Sequence, residues 1–145
     1  MTRHLKNMKQ YRLIDHTADL GISVQARTLK KLFIASAESL FDLMLEGRAG
    51  RASERITVKL DAPDMASLLN RWLSELLYLF NAKKIVPVKY FIRELTENTL
   101  AAEIDTGRFN PGTRNIRREI KAVTYHDLKL EKKKNFWNAR ILFDI

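Results

Sequence analysis

Two stretches of the chain carry apolar residues at helical spacing. In the first, Thr28 is placed to cap a helix and Gly47 to end it. Its apolar stripe consists of Leu29, Leu32, Phe33, Ser36, Leu40, Leu43 and Met44. In the second, Asp64 is the expected cap, and the stripe consists of Met65, Leu68, Leu69, Trp72, Leu73, Leu76, Leu77 and Phe80. Both patterns predict helices that face a core, with Trp72 inside that core rather than stacked on a ligand.

Elsewhere the apolar positions alternate with a period of two, which is typical of strands with one solvated face. The alternation predicts strands at 11–16, 20–26, 55–60, 85–95, 99–105, 119–131 and from 137 to the end. Pro87 indicates an edge or a bulge for the fourth of these. In the last strand, Trp137, Ala139, Ile141, Phe143 and Ile145 are expected to face the core, and Leu142 and Asp144 to face away. Residues 106–116 are expected to form a long irregular loop.

This order of elements predicts an α+β fold, with two helices packed on a mostly antiparallel sheet in a single two-layer domain over residues 11–145. A chain of 145 residues can bury about two-thirds of the surface that it exposes when unfolded. Residues 1–10 are basic and lack an apolar core, so we expect a loose basic tail rather than a signal peptide.

Composition narrows the class of protein. The chain has no Cys, which excludes disulfides, thiolate metal sites and Cys nucleophiles and suits a reducing, cytoplasmic setting. No window approaches the ~20 apolar residues of a membrane span, so a soluble protein without a membrane partner is expected. The net charge of +9 favours an anionic partner such as RNA. The densest basic runs are Lys30–Lys31, Arg114–Arg118 and Lys132–Lys134, and aromatic residues are not interleaved with them.

The densest candidate chemistry is Asp15-His16-Thr17-Ala18-Asp19-Leu20-Gly21, at the mouth of a predicted strand. Its carboxylates, imidazole and hydroxyl suit a site, but Asp and Thr also cap turns, and local chemistry leaves both readings open. The chain contains no phosphate-binding Gly-rich loop, no nucleophile elbow and no His-Glu-x-x-His. His126, which interrupts an apolar face, is expected more as a core residue than as a catalyst.

A metal site, if the chain has one, must be built largely from oxygen atoms. His occurs at three positions only and Cys is absent, so a zinc site held by protein ligands is not favoured. A hard divalent cation is the metal that the chain could best accommodate, and Asp15, Asp19 and Asp144 are the natural pool of ligands. Their separation in sequence means that only the fold can bring them together.

Three blocks of the sequence resemble the archease family. The first is Asp15-His16-Thr17-Ala18-Asp19-Leu20-Gly21, followed by a helix that ends in Leu40-Phe41-Asp42-Leu43-Met44. The second is Glu119-Ile120-Lys121-Ala122-Val123-Thr124-Tyr125-His126-Asp127-Leu128, and the third is Phe143-Asp144-Ile145. The acid-capped, Leu-rich stretch from Asp64 to Leu77 lies between them. The resemblance covers residues 11–145, with the blocks in the family's order.

The resemblance implies a non-enzymatic partner of an RtcB-type RNA ligase, which helps the ligase to form its guanylated histidine and to turn over repeatedly, as in tRNA splicing. It also implies a divalent cation, Ca²⁺ with Mg²⁺ left open, held by Asp19, Asp144 and a carbonyl or carboxylate oxygen of Ile145. Lys121 and His126 match polar positions of the second block and, with His16 of the first, are expected near the surface that engages the ligase. RNA is then expected to be contacted through the ligase.

Two other functions stay open from the residues themselves. The first is a basic module that binds RNA directly, with steep salt dependence and with Lys132, Lys133 and Lys134 as its main contacts. The second is a hydrolase that uses His16 or His126 as a base, and it is the least favoured because no nucleophile or oxyanion motif accompanies either His.

Overall fold

The computed structural model describes residues 11–14 and 19–145, which form two helices and ten strands. The predicted tail at 1–10 and residues 15–18 of the first motif lie outside these residues. The helices are α1 (Leu29–Met44) and α2 (Met65–Lys83). The strands are β1 (Tyr11–Ile14), β2 (Leu20–Ala26), β3 (Leu45–Glu46), β4 (Glu54–Asp61), β5 (Ile85–Leu95), β6 (Thr99–Arg108), β7 (Asn115–Ile116), β8 (Ala122–Val123), β9 (Lys129–Lys132) and β10 (Trp137–Asp144).

The predicted α+β class is confirmed, and every strand pair among the described residues is antiparallel. The strands form three sheets rather than one. The largest has the order β1-β2-β10-β8, with β9 also paired to β10; the others are β4-β6-β5 and β3-β7. Both helices pack against strands of the two larger sheets, and their apolar stripes meet in one core.

The predicted helix caps are present. Thr28 Oγ1 accepts the Lys31 N–H at 3.1 Å, and Asp64 Oδ1 accepts the Ser67 N–H at 2.8 Å. The first helix ends earlier than predicted, at Met44, because the chain turns extended at Leu45 and pairs with β7. Gly47 does adopt a positive φ of 86°, but it lies in the turn beyond that short strand.

Trp72 lies in the core, as its place in the apolar stripe predicts. Its side chain is fully buried, and its indole N–H donates to the carbonyl of Phe33 at 2.9 Å. This bond ties α2 to the N-terminal half of α1. A buried indole without such a partner would leave its N–H unsatisfied, at a cost comparable to the bond itself.

The prediction from Pro87 is also confirmed, since β5 is an edge strand and is irregular next to that residue. It pairs only with β6 in its sheet, and the register shifts between Pro87 and Lys89. Proline has no N–H to offer a ladder, so an edge or a bulge is where a strand tolerates it.

The prediction of one continuous strand over 119–131 is wrong. β8 and β9 pair with opposite ends of the same edge of β10, and residues 124–128 form a loop between them. Asp127 adopts a left-handed φ of 53°, and the Leu128 N–H donates to the Tyr125 carbonyl at 3.3 Å. The apolar alternation runs on through this turn, so periodicity alone does not show the break.

The expected faces of β10 are wrong at two positions. Leu142 is fully buried although it lies on the outward face, and Ile145 is 49% exposed although it was expected in the core. Gly21, opposite Leu142 in the register, leaves room for its side chain: a Cβ added to Gly21 would lie 2.7 Å from Leu142 Cδ2. The outward face of β10 is therefore shielded from solvent at Leu142.

Candidate metal centre and partner-binding tip

Asp19 and Asp144 lie at the shared end of two paired strands. The ladder between β2 and β10 ends with the pair Leu20 and Phe143; Asp19 directly precedes the one and Asp144 directly follows the other. On the other edge of β10, the Lys121 N–H donates to the Asp144 carbonyl at 2.7 Å. We refer to Asp19, Lys121, Asp144 and Ile145 as the tip. The fold thus brings together residues from both ends of the chain.

The tip is accessible. Lys121, Asp144 and Ile145 are exposed, and Asp19 is half-buried. The backbone beneath them is held by ladder bonds on both edges of β10, because Asp144 also pairs with Ala122. The tip therefore combines a fixed main chain with side chains that an ion or a partner protein can reach.

The donor set at the tip suits a hard cation but does not complete a site. Two carboxylates and nearby main-chain oxygens are the ligands that Ca²⁺ and Mg²⁺ prefer. Among residues 11–14 and 19–145, no three His, Asp or Glu side chains come together in a group that could hold a metal. Asp15, the third carboxylate of the predicted ligand pool, lies outside the described residues, as does His16. The metal site stays a prediction.

His126 is not the core residue that the sequence predicts. It lies in the 124–128 loop, where its side chain is 65% exposed and its Nε2 atom is 3.7 Å from Asp127 Oδ2. Its main-chain N–H donates to Thr124 Oγ1 at 3.2 Å. The expectation failed because the residue lies in a turn, where the strand alternation no longer assigns faces. Exposure is what a residue that contacts a partner requires.

Asn70 is a residue of this region that sequence reasoning missed. Its side chain is 3% exposed, and its amide donates to the carbonyls of Val123 at 3.1 Å and Thr124 at 3.2 Å. Its side-chain oxygen Oδ1 accepts the Ser74 hydroxyl at 3.0 Å. Asn70 therefore holds the point where β8 enters the 124–128 loop. The sequence did contain a sign of this role: Asn70 is a polar residue on the apolar side of α2, three positions before Leu73 and seven before Leu77.

A second amide of the same helix holds the other end of this segment. The Asn81 side chain donates to the Ile120 carbonyl at 3.2 Å, directly before Lys121. The segment from Ile120 to Thr124 is thus fixed by side chains of α2 on one side and by β10 on the other. Lys121 of the tip projects from a backbone that is bonded along its length.

Asp42 of the first family-like block has a structural role. It accepts the Tyr11 hydroxyl at 2.7 Å, which fixes β1 against the last turns of α1. Burial, and then this bond to a carboxylate, raises the pKa of the Tyr11 phenol far above its ordinary value, so the phenol stays neutral. The bond anchors β1, which directly precedes Asp15 and His16 in the sequence.

Comparison with known proteins identifies the fold. The profile of the Archease protein family (MTH1598/TM1083) matches residues 11–145. The protein archease of Methanosarcina acetivorans is 37% identical over 142 residues, which covers 94% of this chain and 97% of that protein. The protein archease of Pyrococcus furiosus is 32% identical and covers 95% of this chain and 100% of its own length.

Two solved structures agree. The solution structure of Methanobacterium thermoautotrophicum protein 1598 superposes with a TM-score of 0.78 at 28% identity, covering 95% of this chain and 100% of that one. The crystal structure described as an archease, possible chaperone, from Thermotoga maritima superposes with a TM-score of 0.61 at 18% identity, covering 92% and 96% of the two chains. This second likeness concerns the fold alone.

These observations define a small α+β protein with two helices on antiparallel sheets and an acidic tip at one strand end. The chain belongs to the archease family. No helix of the described residues is long and apolar enough to cross a membrane.

Proposed function

We propose that this chain is a non-enzymatic accessory protein that activates an RtcB-type RNA ligase in tRNA splicing or RNA repair. It would act in the cytoplasm and promote both guanylation of the ligase histidine and multiple turnover. Membership of the archease family supports an accessory role. The observation that carries the proposal is the tip, where Asp19 and Asp144 adjoin on neighbouring strands beside Lys121.

The tip has the features of a surface that enters a partner's cleft. Its main chain is held by the pairing of β10 with β2 and β8, and its charged residues are exposed or half-buried at the end of the sheet. Lys121 of the tip directly precedes β8, the exposed His126 lies in the loop that follows β8, and His16 belongs to the stretch that precedes Asp19. We assign these three side chains to contacts with the ligase near its nucleotide pocket, where they favour the arrangement in which the ligase histidine attacks GTP.

A divalent cation is part of the proposal. Asp19, Asp144 and a main-chain oxygen of Ile145 would hold it, with Ca²⁺ expected and Mg²⁺ open, because both accept carboxylate and carbonyl oxygens. When bound, the cation would offset the repulsion between the two carboxylates and would present positive charge at the tip. Calorimetric titration of the chain with each metal tests this step, and Asp144→Asn is expected to abolish the binding.

Single-turnover guanylation of a purified RtcB-type ligase tests the function. Wild-type chain is expected to accelerate guanylation, and Asp19→Asn and Asp144→Asn are expected to lose at least about tenfold of that acceleration, which is the usual cost of removing a metal ligand or its support. Glu97→Gln is the matched control, since Glu97 is an exposed carboxylate in the turn between β5 and β6. The proposal fails if the two tip variants, shown to be folded, accelerate guanylation as wild type does.

The alternative, a module that binds RNA directly through Lys132, Lys133 and Lys134, has less support from the structure. Lys133 forms an ion pair with Glu131 at 3.3 Å, and Lys132 Nζ lies over the Trp137 ring at 5.6 Å. One of the three charges is thus paired with a carboxylate of its own hairpin, and a second contacts an aromatic ring there.

A further inference from the structure

The excess of positive charge is concentrated at one end of the molecule, where both helices end and two loops meet. We call this surface the basic end, and it consists of Arg48, Arg51, Lys83, Lys84, Arg108, Arg114, Arg117 and Arg118. The segments that carry these residues, 46–54, 83–84 and 107–119, contain three acidic residues. They therefore hold five of the nine net charges of the chain, and residues 1–10 hold three more. The rest of the protein is close to neutral.

Contacts between the segments show that the eight residues share one end. The Arg114 guanidinium donates to the carbonyls of Glu46 at 3.0 Å and Gly47 at 3.2 Å. Arg108 donates to the Lys83 carbonyl at 2.8 Å, which links the end of β6 to the end of α2. A Cβ added to Gly107 would lie 2.7 Å from the Arg51 carbonyl, so the 47–53 loop passes directly over the end of β6.

Most charges of the basic end lack a carboxylate partner among the described residues, although the carboxylate of Asp42 acts electrostatically on Arg114. Within the part of the chain that the structure describes, none of the eight residues forms an ion pair. The arginines on the exposed face of the β4-β6-β5 sheet differ, since Arg55 pairs with Asp105 at 2.7 Å and Arg93 with Glu103 at 2.8 Å. The two helix ends contribute about half a negative charge each. That contribution leaves most of the excess uncompensated.

The composition of the basic end favours phosphate as its ligand. Six of its eight residues are arginines, whose planar guanidinium binds phosphate through two parallel hydrogen bonds. The charges are spread over two loops and a helix end, which suits a continuous polyanion better than a single small anion. Ile116 is the one large apolar residue of these segments that is exposed, so the surface offers little to insert into a lipid layer.

We infer that the basic end binds the phosphodiester backbone of RNA, without reading its sequence. The inference rests on the proposed function, because an accessory protein of an RNA ligase works where RNA ends are present. The main-chain N–H groups of Arg117 and Arg118 donate to the Met44 carbonyl, and Lys121, three residues on, is bonded to Asp144. RNA on the basic end therefore lies beside the tip, and the chain can contact the ligase and its substrate together.

Salt-dependent binding of a labelled single-stranded RNA to the full chain tests the inference. Fluorescence anisotropy of an RNA of about 20 nucleotides is measured between about 50 and 200 mM salt. One variant replaces Arg48, Arg51, Arg117 and Arg118 by Gln; the control replaces Arg27, Lys132, Lys133 and Lys134 by Gln, so both lose four charges. The first is expected to bind about tenfold or more weakly, with a salt slope reduced by about 3, and the control to change little.

Each outcome of this experiment either supports or overturns RNA binding by the basic end. Equal losses in the two variants would show that net charge, rather than the basic end, attracts RNA, and no RNA binding by wild type would also overturn the inference. Binding to phosphatidylserine vesicles in place of RNA would assign the surface to a membrane instead. If the variant with four arginines replaced does not fold, a double variant, Arg48→Gln with Arg51→Gln, takes its place. Both residues lie in the exposed 47–53 loop, and the double variant must show about half of the expected reduction in salt slope.

Guanylation separates this inference from the proposed function, since that reaction requires no RNA. The basic-end variant is expected to accelerate guanylation as wild type does. If wild type binds RNA through the basic end yet fails to accelerate guanylation, the proposed function falls and the RNA site remains.

Discussion

Asn70→Ala is expected to destabilise the protein and to release the 124–128 loop. The substitution removes two amide hydrogen bonds, to the carbonyls of Val123 and Thr124, from a position that is 3% exposed. Each bond contributes about 1 kcal/mol, and a buried carbonyl left without a donor adds about 1 kcal/mol or more. We therefore expect a loss of about 3 kcal/mol in the free energy of unfolding, or roughly 6–12 °C in Tm for a chain of this size.

Urea unfolding followed by tryptophan fluorescence measures this loss, and Asn98→Ala is its control. The Asn98 amide also donates to two carbonyls, those of Ala62 at 3.1 Å and Pro63 at 2.9 Å, but it is exposed. Water can replace those bonds, so the control should lose less than about 1 kcal/mol. Hydrogen exchange of the Leu128 amide should rise in the Asn70 variant alone. If Asn70→Ala loses no more stability than Asn98→Ala, the argument that burial makes the Asn70 hydrogen bonds more stabilising is refuted.

Two further changes test backbone packing and helix capping. Gly107→Ala places a Cβ 2.7 Å from the main-chain oxygen of Arg51, and we expect it to lower the free energy of unfolding, measured in urea, by about 1–3 kcal/mol. The control, Gly50→Ala, places a Cβ where no atom lies within 4 Å and should be nearly neutral. Similar losses in the two variants would contradict the close approach of Gly107 to Arg51. The hydrogen bond from the Ser67 N–H lowers the pKa of Asp64 below its ordinary value of 3.8. The ionised carboxylate therefore stabilises the folded state above pH 3.8, and this stabilisation is lost as the pH falls through the lowered pKa. The gap in urea midpoint between wild type and Asp64→Ala should therefore shrink between about pH 5 and pH 2, and a gap that is independent of pH would exclude a role for the charge.

Local patterns determined the elements that depend on near neighbours. The helix caps at Thr28 and Asp64 follow from interactions within a few residues, and they are confirmed. The burial of Trp72 follows from its place in an apolar stripe and the edge position of Pro87 from its missing N–H, and both are confirmed as well. A cap bonds to the next turn, and a proline removes its own N–H, so neighbouring sequence contains the needed information. The resemblance to the archease family could also be recognised from the sequence alone, because it consists of three sequence blocks in a fixed order.

Other features were decided by tertiary structure. Sequence alternation could not show the turn at Asp127, because a left-handed residue breaks a strand without breaking the apolar pattern. It also could not show that Leu142 is buried or that His126 is exposed, since both depend on what covers each face. The same holds for Asn70, whose side-chain amide donates to two carbonyls more than fifty positions away.

The candidate sites divide in the same way. The sequence by itself identified Asp19 and Asp144 as candidate ligands and showed a surplus of positive charge. The pairing of β2 with β10 brought the two aspartates to the same end of the sheet, and the ends of α1, α2 and β6 gathered the arginines on one surface. Sequence determines which chemical groups are present and their local conformation. Long-range strand pairing and helix packing decide which groups meet, because those contacts join residues that no local pattern relates.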